Sequence, residues 1–487
     1  MLDPEKNRAP NHIKTIHLMG ICGTGMAALA GMLQQSGYII TGSDAQVYPP
    51  MSHFLQQIGI DAMEGYRAQN LAHKPDLVVV GNVITKKNPE AQALAKNGLP
   101  YLSFPQALAE FFIRSHTSIV VAGTHGKTTT CSLLASALFH AGLDPSFMIG
   151  GIVKEFSGNN RIGQGPYFIA EGDEYDTAFF DKESKFLHYR PHMAIITSIE
   201  FDHADIFTDL NQIKNAFRKF VGLLPADGLI IAHLDDKNVA EVVAEAPCRV
   251  EGYGFDAENQ WNLSDLQTSA QTTSFSVRYK EKVFPLSIPL SGKHNCLNAL
   301  AVTAILHHTG ISFDMVEHCL SKFSGVKRRQ EIRGIVGGIT VIDDFAHHPT
   351  AVKETLAGLK AAFPGKRLVA VFEPRTNSSR RAVFQKEYAE AFNSADLVLL
   401  REPQPLQNVA ADDHFSCSKL AQDIRQSKHA AWSFQTTAEM LDHLIQHLRS
   451  GDVVAILSNG GFDNIHERLL ARLQDNQSSP SKDTSAL

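Results

Sequence analysis

SIVVAGTHGKTTTCSLLASAL, residues 118–138, decides the fold. Its first residues, Ser118–Val121, form an apolar run that reads as a strand buried on both faces. Gly123 and Gly126 bracket a turn, and an apolar-periodic stretch from Cys131 to Ala141 reads as a helix. Glycines let a backbone curl until its amides converge on one point, and a helix N-terminus adds partial positive charge there. Gly123, Thr124, His125, Gly126, Lys127, Thr128 and Thr129 are therefore a candidate phosphate-binding loop. Lys127 is expected to reach the outer phosphates of a nucleotide, and the Thr128 hydroxyl to ligate Mg²⁺. Val121 stands where the usual pattern has its first glycine, so this is a shortened version of the loop.

Working outward, short apolar runs recur: Ile16–Met19, Tyr38–Thr41, Leu77–Val80, Tyr167–Ala170, Ala194–Thr197, Leu229–Ala232, Leu368–Phe372, Leu397–Leu400 and Val453–Leu457. Helical patterns such as Met26–Gln35 lie between them, which predicts α/β layering with parallel sheets. The region 256–289 alternates polar and apolar residues and suggests appended antiparallel strands. At 487 residues the chain exceeds one comfortable core, and about three domains are expected. Breaks fall around Ser115–Thr117 and at Lys327-Arg328-Arg329, giving 1–115, 116–328 and 329–474. Residues 475–487 are polar and expected to be a disordered tail.

Composition excludes several classes. A net charge of −6 argues against a nucleic-acid binder, and no apolar run reaches membrane-spanning length. Six scattered cysteines with no close pair fit a reduced interior, neither a disulfide framework nor a zinc site. The N-terminus lacks an apolar leader core, so a cytoplasmic address is expected, with no membrane and no obligatory protein partner.

Two acidic clusters follow the loop. YFIAEGDEYD puts Glu171 straight after a buried strand, with Asp173, Glu174 and Asp176 behind it. Carboxylates there suit Mg²⁺, although an exposed acidic turn would look the same. ITSIEFDHADIF puts Glu200, Asp202, His203 and Asp205 at another strand end, with His203 a candidate ligand for a second ion. Asn295, in SGKHN before the helical NALAVTAIL, reads either as a contact to adenine or as a helix cap. In HLMGICGTGMAALAGMLQQSGYIITGSD, Gly20, Gly23 and Gly25 shape a strand-to-helix turn suited to a pyrophosphate, and Asp44 closes the next strand. The order GxxGxG, with Cys22 where the dinucleotide fingerprint wants glycine, weakens an NAD reading.

With GTHGKTTT, AEGDEYD, EFDH, GKHNCLNAL and DDFAHHPT in this order, the chain resembles the Mur ligase family of peptidoglycan synthesis over nearly its whole length. The resemblance implies a Rossmann-like UDP-binding domain, a central P-loop ATPase-type domain and a C-terminal Rossmann-like domain. It implies an ATP-dependent ligase that joins the carboxylate of UDP-N-acetylmuramate to an amine through an acyl phosphate. Lys127, Glu171 and His203 would carry the chemistry, with one Mg²⁺ at Thr128 and Glu171 and another at His203. Asn295, Arg329 and Asp344 would complete the ATP site. Gly20, Gly23, Thr24, Gly25, Met26 and Asp44 would hold the UDP-sugar, and His348 and Arg375 the incoming amine. No lysine beside these motifs compels a carbamylated residue.

Within the family the amine differs. Members that add a single alanine carry His-Arg and a later Arg in the segment matching Phe372–Arg380, which hold the alanine carboxylate. Here Pro374-Arg375-Thr376-Asn377 stands there. EYDTAFFDKESKF, EFDHADIF, DDFAHHPT, FEPRTNSSR and SNGGF look instead like members that add a salvaged murein tripeptide. An alanine-adding ligase is the nearest alternative, and a non-catalytic protein that uses ATP as a switch the distant one.

Overall fold

The computed structural model describes residues 2–478, apart from 49–50, 270–271, 407–408, 411–412 and 428. The chain builds three main sheets in sequence order. The first is wholly parallel, in the order Ala62–Glu64, Ile39–Asp44, Thr15–Met19, Leu77–Val80, Tyr101–Ser103. Its strand order reverses beside Thr15–Met19, which is where an open α/β sheet leaves a crevice for a ligand.

The second sheet has ten strands and centres on Thr117–Ala122. That strand pairs in parallel with Met193–Ile196 on one side and Tyr167–Gly172 on the other. All but one of its residues are buried, which explains why the sequence shows no alternation there. Trp261–Thr268, Thr273–Tyr279 and Lys282–Ile288 extend this sheet as an antiparallel meander, as the alternating pattern predicts. Helices Lys127–His140 and Lys293–His308 pack on one another and on this sheet, and both are buried around most of their circumference.

The third sheet runs Glu331–Val336, Ile339–Asp344, Val453–Leu457, Leu368–Phe372, Leu397–Arg401, Ala430–Phe434, and only its first pairing is antiparallel. Its last helix, Ile465–Ser478, continues past Asp475, so composition placed the polar tail a few residues early. Leu469 and Leu473 bury one face of that helix, and this holds the polar residues that follow in the same element. Residues 479–487 lie outside those described.

The carboxyl ends of strands from all three sheets open onto one cavity of about 1210 Å³. Among the described residues no helix is long and apolar enough to cross a membrane. All six cysteines are free thiols.

Candidate active site

The loop after Thr117–Ala122 is tied to the neighbouring strand end. The Thr124 amide donates to the Ser198 carbonyl at 2.8 Å, and the His125 amide to Ser198 Oγ at 3.1 Å. Gly123 has φ +137°, and a Cβ there would sit 2.1 Å from Thr197 Oγ1, so only glycine fits. Gly126, at φ +80°, opens the helix with no side-chain cap, leaving the first-turn amides to face the cavity. A Cβ on Gly126 would also lie 2.7 Å from Asn298 Oδ1. Gly126→Ala is therefore expected to cost about 1–3 kcal/mol and to abolish measurable nucleotide binding. Differential scanning calorimetry and titration with a non-hydrolysable ATP analogue check both, and wild-type affinity in a folded variant contradicts the loop assignment.

Lys127 folds back into the loop. Its Nζ donates to the Gly123 carbonyl at 2.5 Å and lies 2.8 Å from Glu174 Oε2. Glu174 is 1% exposed and also meets His203 Nε2 at 3.4 Å. Burial opposes the charge on each of these groups, yet their mutual attraction outweighs it: Glu174 is held below the usual carboxylate range and His203 is pushed up to about 9. Glu171 meets the next residue of the lysine helix. Its Oε1 accepts from Thr128 Oγ1 at 2.9 Å and its Oε2 from the Gly150 amide at 2.7 Å.

The structure thus brings Thr128 and Glu171 together but sets His203 with Asp173 and Glu174, whose ligand atoms lie within 4.8 Å of one another. His203 has φ +55°, and this left-handed turn splays the cluster around it. Asp202 turns back on the His203 amide at 2.6 Å, Asp205 accepts from Tyr175, and Glu200 leaves for another partner set. The carboxylates beside His203 in sequence are therefore not the ones that share its site. Two donor groups rich in hard oxygens, Thr128–Glu171 and Asp173–Glu174–His203, fit Mg²⁺.

The third domain reaches the same cavity. Arg329 Nη2 donates to Thr128 Oγ1 at 3.2 Å, and its guanidinium lies 4.7 Å from the Phe345 ring centre. Asp344 is 4% exposed, and its two oxygens accept from the Gln330 and Ala346 amides at 2.8 Å each. It braces the turn carrying Arg329 and Phe345 while also lining the cavity. His348 is 6% exposed and turned inward, its ring centre 4.5 Å from that of His125. Burial, then the His125 charge, push His348 down to about 4, so its imidazole is neutral at pH 7. Glu200 joins both histidines at 3.4 and 3.7 Å and accepts from Thr350 Oγ1 at 2.6 Å. Arg375 lies outside the described lining of this cavity, half-exposed against Gly460 and 3.9 Å from Glu373.

Asn295 is not a helix cap; Gly292 is, and Asn295 sits in the first turn with Nδ2 on the Ser291 carbonyl at 2.7 Å. Asn298, one turn on, donates to Asn295 Oδ1 at 3.3 Å and packs beneath Gly126. Nothing in the motif marks Asn298 except its spacing of three from Asn295 on one helix. In the first domain Gly20, Gly23, Thr24, Gly25, Met26 and Asp44 all line the cavity. Asp44 Oδ2 accepts from the Cys22 amide at 2.8 Å, so this carboxylate also shapes the glycine turn.

Three family models match consecutive segments: "Mur ligase family, catalytic domain" over 15–116, "Mur ligase middle domain" over 121–306, and "Mur ligase, glutamate ligase domain" over 328–460. The UDP-N-acetylmuramate–L-alanyl-γ-D-glutamyl-meso-2,6-diaminoheptandioate ligase of Haemophilus influenzae is 39% identical over 95% of this chain and all of that protein. The chain belongs to the Mur ligase family. Another Mur ligase, the UDP-N-acetylmuramate–L-alanine ligase of Geobacter sp. strain M21, is 34% identical over 95% of this chain and 98% of its own. A crystal structure of a murein peptide ligase from Psychrobacter arcticus 273-4 matches with a TM-score of 0.71 and 35% identity, covering 94% of this chain and 98% of that one. The three sheets described above are the three-domain architecture of this family.

Proposed function

We propose that this Mur ligase joins the lactyl carboxylate of UDP-N-acetylmuramate to the free amine of L-alanyl-γ-D-glutamyl-meso-diaminopimelate, releasing ADP and phosphate, in the cytoplasmic recycling of cell-wall peptide. The observation that carries the choice of amine is the uncharged side chain of Thr376, at a position where alanine-adding members carry arginine. Thr376 Oγ1 donates to Ser379 Oγ at 2.8 Å and accepts from the Ser379 amide at 2.9 Å. Alanine-adding members place arginine in this segment to hold a carboxylate next to the reacting amine. In a peptide that carboxylate has become an amide, and a cation there would have nothing to pair with. The full-length likeness to the Haemophilus influenzae enzyme supports the same reading.

The chemistry follows from the weakness of a carboxylate as an electrophile. Its oxygen attacks the γ-phosphorus of ATP, ADP leaves, and an acyl phosphate forms. The peptide amine then adds to the acyl carbon, loses its proton, and phosphate departs with its bonding electrons. Lys127 and the loop amides hold the transferring group, so catalysis is mostly positioning and charge neutralisation. Thr128 with Glu171, and His203 with Asp173 and Glu174, are the groups proposed to hold Mg²⁺, which supplies further neutralisation of phosphate charge. Arg329 reaches the phosphates from the third domain, Asn295 and Phe345 flank the base, and Asp344 fixes the turn between them. His348 receives the incoming amine end, while Arg375, outside the cavity lining, is left without a contact to it. The glycine turn Gly20–Met26 and Asp44 hold the UDP moiety.

Phosphate release with UDP-N-acetylmuramate, ATP, Mg²⁺ and either tripeptide or L-alanine tests the reading. The tripeptide is expected to give a kcat/KM higher by on the order of 100-fold. Preference for alanine overturns it.

A further inference from the structure

Beside His348 lies a second cavity, of about 360 Å³, between Phe201 and Ala204–Thr208 of the middle domain and Arg381, Val383 and Asp413 of the third. We infer that it receives the zwitterionic end of the peptide's third residue, an ammonium and a carboxylate carried on one carbon of an alkyl stem. This deepens the tripeptide reading and rests on it.

The lining has two characters. Phe201, Ile206, Phe207 and Val383 offer apolar surface for methylenes. Arg381, Asp413 and Asp205 supply one positive and two negative charges. Arg381 Nη1 meets Asp413 Oδ2 at 3.7 Å, beyond hydrogen-bond distance, so the guanidinium retains donor capacity for a carboxylate. Asp205 is held in place: its Oδ2 accepts from Tyr175 Oη at 2.5 Å and from Asn377 Nδ2 at 2.9 Å, one partner from each domain. A ligand bearing only an ammonium leaves Arg381 unmatched, and one bearing only a carboxylate leaves the aspartates unmatched.

The position also fits. Phe201 lines this cavity and its carbonyl lies 3.2 Å from His348 Nε2, so one residue separates the cavity from the histidine proposed for the amine end.

The test compares kcat/KM for three amines: L-alanyl-γ-D-glutamate, its extension by meso-diaminopimelate, and the same tripeptide with the distal carboxylate amidated. For the wild-type protein, amidation is expected to lower kcat/KM about tenfold or more, the scale of one charge-assisted contact. Arg381→Gln and, independently, Asp413→Asn are each expected to lower the tripeptide-to-dipeptide ratio of kcat/KM by about tenfold. Using a ratio separates loss of the contact from loss of folded protein, and the amidated peptide needs no variant. Unchanged ratios, or no effect of amidation, overturn the subsite while leaving the tripeptide reading intact. A wild-type protein that uses alanine and no peptide overturns the reading beneath it.

Discussion

Lys127→Ala is expected to lower turnover at least about 10³-fold while UDP-N-acetylmuramate affinity stays within about twofold. The asymmetry follows from where the residue sits. Its ammonium lies inside the phosphate loop, 2.5 Å from the Gly123 carbonyl, whereas the proposed sugar-nucleotide contacts come from the first sheet. Alanine removes the one cation at the centre of the loop and leaves Glu174 buried without its lysine partner. Steady-state phosphate release and calorimetric titration of the sugar nucleotide measure the two quantities separately. Turnover near the wild-type rate would show that the loop does not bind the transferring phosphate.

Glu174→Gln is expected to reduce kcat by on the order of 100-fold and to raise the Mg²⁺ concentration needed for half-maximal rate. Glutamine keeps the shape but removes the negative charge that Lys127 and His203 share. Two cations then face one another across a buried amide, with a stability loss of about 2 kcal/mol. His203 gives an independent readout. Burial pulls its pKa down, and Glu174 is the leading influence holding it up to about 9. Because that value is raised, the pair's contribution to stability is complete below the ordinary histidine value of 6.5 and is lost as pH rises through about 9. In the variant the His203 titration, followed by NMR in metal-free buffer, is expected to move downward toward 6.5. An unmoved titration would place Glu174 outside the lysine–histidine pair.

Much of this arrangement was readable from residue order alone, because strands buried on both faces leave unbroken apolar runs and a phosphate loop needs glycines at fixed offsets. Short strands such as Ala62–Glu64 and Tyr101–Ser103 escaped notice, since three residues carry too little pattern. Side-chain partnerships escaped for another reason. Glu171 and Glu174 are equally acidic and three residues apart, yet one faces Thr128 and the other Lys127 and His203. Only the path of the chain after Gly172 separates them. The Glu200 junction joins residues from the phosphate loop, the Met193–Ile196 strand end and the third domain, a set with no shared sequence spacing. Arg375 stands at a motif position but is not among the residues lining the main cavity, and Arg381, six residues later, borders the smaller one.

The hydrogen bond from Arg329 to Thr128 spans 201 residues and ties the last third of the chain to the nucleotide loop. Anyone grafting this C-terminal module onto a sister ligase would therefore transplant two things at once. Residues 329–350 must still mesh with the host's loop, whereas residues 375–413 are the portion to exchange. A crossover placed between those stretches, after the helix Pro349–Ala362, should yield hybrids that retain ATP handling and report how much of the choice of amine travels with the rest of the domain.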